Sequence, residues 1–271
     1  MSNILKRTFK GLRILVGLLS VLIVGLFTFV QLTWDRPVDH PVVEMTAPTD
    51  EESIARGEYL YNYTLLCWTC HGSEGSYTPD EPQAGGRVFD LSEVGPPGGF
   101  GNFYASNVTS DRDTGIGAWS DGELVRAIRE GLDNEEHLIF VIMEAEWWKG
   151  LSDEDVLALV AYMRTFSPVV NEVPTSRPTF AAKALQALGI VGPQPAITSP
   201  IVAPPKGLTA EYGKYLAYHG STCIGCHTPR NPNNGQFDLS RPFAGGLFPF
   251  PEEGVGPHGA TMPPAPAPGF G

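Results

Sequence analysis

Two stretches of the 271-residue chain share one pattern and decide its fold. Residues 57–71 read GEYLYNYTLLCWTCH, and residues 213–227 read GKYLAYHGSTCIGCH. In each, a Gly-x-Tyr-Leu run begins ten residues before the first cysteine of a Cys-x-x-Cys-His pentapeptide. A second shared run, Phe-Asp-Leu-Ser, occurs at residues 89–92 and 237–240. Because an internal repeat marks one structural unit used more than once, the sequence predicts two copies of one domain.

The two pentapeptides contain all the cysteines of the chain, which are Cys67, Cys70, Cys223 and Cys226. No cysteine is left over, which argues against a disulfide framework. Haem attachment needs two thiols about one turn apart for the two vinyl groups, and an imidazole directly after the second thiol for the iron. His71 and His227 occupy that position. The sequence therefore predicts two covalently attached haem c groups.

A zinc site and a redox dithiol are the alternatives for these cysteines. A structural zinc site gathers its ligands in one small unit, but 156 positions and a proline-rich segment separate Cys67 from Cys223. A thioredoxin-like pair follows a strand in a βαβ pattern, which the sequence does not show. Haem attachment is favoured over both.

The charge of the chain excludes one class of partner. The formal net charge is -12 and the isoelectric point is about 4.9, so a nucleic acid would be repelled. An acidic surface suits a basic protein partner, or it simply keeps the protein in solution.

Residues 14–30 form an uncharged apolar run that is long enough to cross a membrane as a helix. Four basic residues precede it: Lys6, Arg7, Lys10 and Arg13. The positive-inside rule therefore places the N-terminus in the cytoplasm, with Trp34 in the far interfacial belt. A cleaved signal peptide is the alternative, but residues 29–34 (FVQLTW) offer no small-x-small cleavage site. We expect a single-pass anchor in a bacterial cytoplasmic membrane, with the haem domains on the periplasmic side.

Proline-rich segments divide the chain. Residues 1–35 hold the cytoplasmic N-terminus and the anchor, and residues 36–50 read as a semi-extended spacer that lifts the first domain off the bilayer. We expect a first domain at 51–167. A linker at 168–207, with a short predicted helix at 180–188, separates it from a second domain at 208–271.

The hydrophobic pattern of the first domain predicts three helices and almost no strand. Residues 51–66 lead as a helix into the first pentapeptide. Ser120 and Glu123 have the spacing of a capping box, and Ser152 is a second N-cap, each ahead of apolar residues at helical spacing. The predicted fold class is therefore all-α.

The sixth iron ligand separates electron transfer from ligand chemistry, because an iron closed on both faces cannot bind peroxide or oxygen without losing a ligand. For the first haem we predict Met143, which ends an apolar stretch between the Ser120 and Ser152 helices. His137 as ligand and simple core packing of Met143 remain alternatives. Met1 precedes the anchor and Met45 lies in the spacer, so both are remote from the first haem. Met163 lies on an apolar helix face, where core packing is favoured over ligation.

For the second haem the candidate is Met262, which lies 35 residues after His227 in an extended Met-Pro setting. His258 is a rival ligand. Met262 can also be an ordinary residue of the tail.

The Gly-x-Tyr-Leu and Cys-x-x-Cys-His runs, together with several shorter motifs, resemble class I cytochrome c domains. They are similar in particular to the multihaem cytochrome c subunits of membrane-bound alcohol and gluconate dehydrogenases. The resemblance covers residues 51–255 and implies an all-α fold with His/Met ligation of iron. The residues that carry it are 57–60, 67–71, 107–109, 114–117, 119–120, 143, 151–155, 226–231 and 244–246.

Two departures from that family are visible. Its subunits usually hold three haems, whereas this chain has two pentapeptides. The second domain also has no Asn-x-Thr segment, Trp-Ser helix start or final helix before Gly271. We therefore expect an incomplete second domain. Either another subunit covers one flank of its haem, or the sequence ends early.

The leading functional hypothesis is a membrane-anchored dihaem cytochrome that passes electrons to redox partner proteins in a respiratory or photosynthetic membrane complex. The enzymatic alternative is a dihaem peroxidase, which needs one open or displaceable iron face. A cytochrome subunit of a membrane-bound dehydrogenase, and an assembly subunit with a structural second haem, are further alternatives. The pattern favours an electron-transfer protein over a catalyst.

Overall fold

The computed structural model describes residues 3–73, 78–95, 98–229 and 237–245, which are mostly helical. Chain contacts divide the molecule into two compact units, 1–221 and 222–271. Its α-helices are α1 (Asn3–Thr33), α2 (Glu51–Tyr59), α3 (Trp68–His71), α4 (Asp121–Glu130), α5 (Ala145–Trp148), α6 (Asp153–Met163), α7 (Phe180–Ala187), α8 (Ala210–Tyr218) and α9 (Cys223–His227). A π turn (Leu60–Thr64) continues α2, and a 3-10 turn (Val141–Met143) precedes α5.

Helix α1 is long and apolar enough to cross a membrane. Its segment Arg7–Thr33 has 27 residues, or roughly 40 Å at the rise of an α-helix, against about 30 Å for a hydrocarbon core. Most of its large apolar side chains are exposed. By length and composition it is the one such helix in the described part of the chain, and it can serve as a membrane anchor.

The proline-rich segment after α1 is extended and bound along the first unit. The Val38 amide donates to the Glu136 carbonyl at 2.9 Å, and the Ala47 amide donates to an Asp121 carboxylate oxygen at 2.8 Å. His40 Nδ1 lies 2.7 Å from a Glu130 carboxylate oxygen. These bonds attach residues 36–50 to α4 and to the loop after it.

The core of the first unit forms where α2 crosses α6. Gly57 is buried at the crossing, and a Cβ atom there would overlap the carbonyl oxygen of Ala158. Leu60, Val156 and Val160 are fully buried around it. The glycine of the first Gly-x-Tyr-Leu run therefore allows two helix backbones to come into contact.

The two glycines of the repeat offer a matched test of this crossing. We expect Gly57→Ala to destabilise the protein by about 1–3 kcal/mol, because the overpacked helices must separate. Gly213, at the same place in the second repeat, has no neighbouring atom within 4 Å of an added Cβ. Gly213→Ala should therefore be neutral or slightly stabilising through helix propensity. Urea denaturation of both variants measures the difference, and equal midpoints would contradict the close approach.

A small antiparallel sheet, which the sequence did not predict, ties the linker to the first domain. Its strands are β1 (Val88–Asp90), β2 (Gly101–Tyr104) and β3 (Arg177–Pro178), in the order β1-β2-β3. Phe89 pairs with Phe103, and Asn102 pairs with Arg177. Strands of two to four residues are too short to show an alternating pattern. The pairing attaches part of residues 168–207 to the first domain.

Helix α8 belongs to the first compact unit and packs near the start of α6. The buried Tyr215 hydroxyl lies 2.6 Å from an Asp155 carboxylate oxygen and accepts from the Ser152 amide at 3.0 Å. His219 Nδ1 lies 2.8 Å from the Trp147 carbonyl oxygen. Hydrogen bonds of Tyr215 and His219 thus hold α8, the helix before the second pentapeptide, on the first domain.

Candidate haem-attachment sites

The first pentapeptide forms one helical turn at the end of the α2 segment. Leu66 has a left-handed backbone, with φ of 55°, which ends the preceding π turn and starts the new one. The His71 amide then donates to the Cys67 carbonyl at 2.9 Å. Side chains three and four residues apart share one face of a helix, so Cys67, Cys70 and His71 lie on the same face.

The imidazole of His71 is oriented by a backbone carbonyl. Its Nδ1 lies 2.9 Å from the Ser106 carbonyl oxygen. A carbonyl can only accept, so Nδ1 carries the proton and Nε2 keeps its lone pair. Burial lowers the pKa of His71, although the bond to Ser106 opposes that shift. The ring is therefore neutral with Nε2 available, which is the form that binds a metal.

The two thiols are half-buried. Burial raises the pKa of Cys67, and burial is also the main cause of the raised pKa of Cys70. A redox dithiol needs a lowered thiol pKa, so this environment does not fit that alternative.

The side chains of the first pentapeptide do not have the arrangement of a zinc site. Within the described ranges, no three His, Cys, Asp or Glu side chains converge as ligands of one ion. Haem attachment has a different requirement, because its thiols bond separate vinyl groups and only the histidine binds iron. The donor set of Cys67, Cys70 and His71 fits haem c.

The loop that carries Met143 is fixed by local contacts. The Phe140 ring stacks on Phe103 of β2 with centroids 4.0 Å apart, and the Met143 amide donates to the Phe140 carbonyl at 3.1 Å. Glu144 follows in a left-handed conformation, with φ of 56°. Burial is the main cause of the raised pKa of Cys70, and the Glu144 carboxylate adds to it. The Met143 loop therefore lies within electrostatic range of the first pentapeptide.

The rival residues of the first site have other surroundings. His137 Nδ1 lies 3.2 Å from a carboxylate oxygen of Asp35, in the turn after α1. Met163 is buried in α6. Met143 is half-buried, which is not the environment of an ordinary core methionine. Met143 as the sixth ligand stays a prediction, with His137 and core packing as its alternatives.

The second pentapeptide forms α9, which Thr222 precedes as N-cap. Cys223, Cys226 and His227 are exposed, and the His227 carbonyl accepts from the Gly245 amide at 3.0 Å. Met262 and its rival His258 lie outside the described residues.

Three characterised proteins show what the chain resembles. The fructose dehydrogenase cytochrome subunit of Gluconobacter japonicus is 28% identical over 80% of this chain and 44% of its own length. The gluconate 2-dehydrogenase cytochrome c subunit of Pantoea cypripedii is 28% identical over 78% of this chain and 43% of its own. A dihaem cytochrome c-type protein of Cereibacter sphaeroides is 29% identical over 86% of this chain and 74% of its own length.

This chain is similar to cytochrome c subunits of dehydrogenases. The chain spans less than half the length of the two dehydrogenase subunits that it matches. No protein-family model matches it. The relatives support electron transfer by a cytochrome with covalently bound haem c.

The Asn-x-Thr segment of the cytochrome resemblance has a structural explanation. The Asn107 side-chain oxygen accepts from both the amide and the hydroxyl of Thr109, at 3.0 and 2.7 Å. The Asn107 amide group donates to the Val169 carbonyl at 2.8 Å. Both residues are nearly fully buried. These bonds fix the loop at Asn107 and Thr109. Ser106 directly precedes that loop, and its carbonyl orients His71.

Sequence reasoning missed Ser106 and Arg87 as residues of this site. Ser106 acts through its backbone, and its one sequence signal is its place directly before the Asn-x-Thr motif. The Arg87 guanidinium donates to the carbonyl of Thr69, inside the pentapeptide. It places a positive charge beside the attachment turn and slightly offsets the raised pKa of Cys70.

Proposed function

We propose that this chain is a membrane-anchored dihaem c-type cytochrome that transfers electrons within or to a respiratory or photosynthetic membrane complex. Residues 67–71 and 223–227 would each hold one haem c. The observation that carries the proposal is the bond from His71 Nδ1 to the Ser106 carbonyl, which leaves Nε2 of a neutral imidazole available beside two thiols. Bound haem would supply one-electron iron chemistry.

The residues of the first site have separate roles in this proposal. Cys67 and Cys70 would hold the macrocycle, and His71 would bind the iron. The Ser106 carbonyl keeps that ring in one tautomer and increases its basicity. Met143 is the proposed sixth ligand, and its thioether raises the haem potential. For the second site, His227 and Met262 are the proposed ligands.

The proposed location follows from the anchor. With α1 across a bacterial cytoplasmic membrane and its basic residues on the cytoplasmic side, the two attachment sites lie on the periplasmic side. A cytochrome subunit of a membrane-bound dehydrogenase is the second candidate, favoured by the names of the fructose and gluconate dehydrogenase relatives. In that case the partner would be a dehydrogenase subunit.

Counting haems in matched variants tests the proposal. The purified chain, made in a host that attaches c-type haem, should give two haems per polypeptide in a pyridine haemochrome assay. A Cys67→Ser/Cys70→Ser variant should keep one, because its second site is intact. Cys223→Ser/Cys226→Ser should also keep one. A wild-type count of one or none, or haem that denaturing electrophoresis removes from the chain, would contradict covalent attachment at both sites.

A further inference from the structure

The short helix of the proline-rich linker packs against the outer end of the candidate anchor. Helix α7 begins after Thr179, whose hydroxyl accepts from the Ala182 amide. The Phe180 ring stacks on Phe27 of α1, with centroids 5.5 Å apart and an interplanar angle of 12°. The Lys183 ammonium lies 4.6 Å from the centroid of Trp34. Two aromatic contacts thus tie α7 to Phe27 near the end of α1 and to Trp34 directly after it.

These contacts define the depth that α7 would have in the membrane. Phe27 lies near the end of the apolar run 14–30, and Trp34 lies just beyond it. Tryptophan typically occupies the membrane interface, and a lysine close to it places its ammonium at the headgroups. If α1 spans the bilayer, the first turn of α7 therefore lies at the boundary between hydrocarbon and headgroups.

The apolar surface continues from α7 into the residues after it. Phe180 is 41% exposed, although it stacks on Phe27. Leu188 and Ile190 are 56% and 63% exposed. Phe180 contacts the exposed Phe27 of α1, and Leu188 and Ile190 follow eight and ten residues later on the same segment. The exposed side chains of α1 need lipid around them, and exposed apolar residues that follow such a contact suit the same lipid.

Charge gives an independent indication. The whole chain has a net charge of -12, yet residues 173–210 contain no Asp or Glu. Arg177 and Lys183 lie in that stretch, within the segment 177–190, whereas its third basic residue, Lys206, is paired with Glu154 at 2.8 Å. A basic segment in an acidic protein suits a negatively charged lipid surface, since other parts of the chain would be repelled by it.

We propose that residues 177–190 form a second membrane contact, in which α7 and the two residues Leu188 and Ile190 lie in the interface of an anionic bilayer beside α1. This inference rests on the proposed membrane anchoring and goes beyond the proposed electron transfer. The linker is then not a free spacer. It holds the first domain against the membrane at a fixed place.

Site-directed spin labelling of the holoprotein tests this contact. The four native cysteines would be bonded to haem, so Leu188→Cys and Ile190→Cys each provide one thiol for a nitroxide. The variants are placed in phosphatidylcholine and phosphatidylglycerol liposomes. We expect labels at 188 and 190 to be several-fold more accessible to oxygen, relative to a water-soluble nickel complex, than a label at Val202→Cys, which is 86% exposed.

A label on the anchor makes the outcomes distinguishable. Leu22→Cys, which is 66% exposed on α1, should report the hydrocarbon. Water accessibility at 188 and 190 equal to that at 202, with 22 still in hydrocarbon, would overturn the second contact and leave the anchor intact. Water accessibility at 22 would overturn the anchor and the contact together. Shielding of 188 and 190 from both reagents would point to protein cover and would also overturn the proposal.

Discussion

Replacing Met143 with alanine is expected to lower the potential of the first haem by a substantial part of the roughly 0.8 V range that axial ligands span. The thioether stabilises reduced iron, so its loss favours the oxidised state. The vacated iron face should then bind cyanide when oxidised and carbon monoxide when reduced. Redox titration and ligand-binding spectra measure both effects. The second haem of the same molecule is an internal reference.

Two control variants separate the ligand from its alternatives. Met163→Leu changes a buried methionine of α6 at similar volume and should leave both potentials unchanged. His137→Ala should break the contact with Asp35 and leave the haem spectrum unchanged. A shift with His137→Ala and none with Met143→Ala would make His137 the ligand. Rapid cyanide binding by one haem of the unaltered protein would favour the peroxidase alternative.

Elements stabilised by local interactions could be predicted from the sequence. The capping box is present, with the Glu123 amide donating to the Ser120 hydroxyl and the Ser120 amide donating to the Glu123 carboxylate. Ser152 accepts from the Asp155 amide at the start of α6. The linker helix predicted at 180–188 is found at Phe180–Ala187. In each case the deciding residues lie within one helical turn of each other.

Contacts between distant residues could not be predicted in the same way. Arg177 pairs with Asn102 across more than seventy positions, and neither strand is long enough to show a periodic pattern. The Ser106 carbonyl that orients His71 is a backbone atom, and every residue has one. The groups that position the predicted donor atoms were therefore not predictable from the sequence.

The repeat itself conceals a difference between its copies. Tyr59 and Tyr215 occupy the same place in the two Gly-x-Tyr-Leu runs. Tyr59 is 49% exposed, with the Arg56 guanidinium 5.7 Å from its ring centroid, whereas Tyr215 is 6% exposed and bonded to Asp155. One sequence pattern thus serves a surface position in the first copy and a buried polar network in the second, because the neighbouring elements differ.

Asp155 is the centre of that network and the site of the largest expected loss of stability. Its two carboxylate oxygens accept from Arg56 Nε at 2.7 Å and Arg56 Nη2 at 3.0 Å. The Tyr215 hydroxyl is 2.6 Å from one of them. Burial and the bond to Asp155 raise the pKa of Tyr215. Its hydroxyl therefore stays protonated and donates a hydrogen bond to Asp155. Asp155 therefore joins α2, α6 and α8 through one buried carboxylate.

Asp155→Ala should lower the free energy of unfolding by about 3–5 kcal/mol, because it leaves a partly buried guanidinium and a buried hydroxyl without their shared acceptor. Tyr215→Phe removes the hydroxyl alone and should cost about 1–3 kcal/mol.

The neighbouring Glu154 is a matched control, since its bond to Lys206 is exposed on the same helix. Glu154→Ala should cost at most about 1 kcal/mol. Urea denaturation of the detergent-solubilised holoprotein, followed by far-ultraviolet circular dichroism, measures all three. If Asp155→Ala were no less stable than Glu154→Ala, this carboxylate would not hold α8, the helix before the second attachment site, on the first domain.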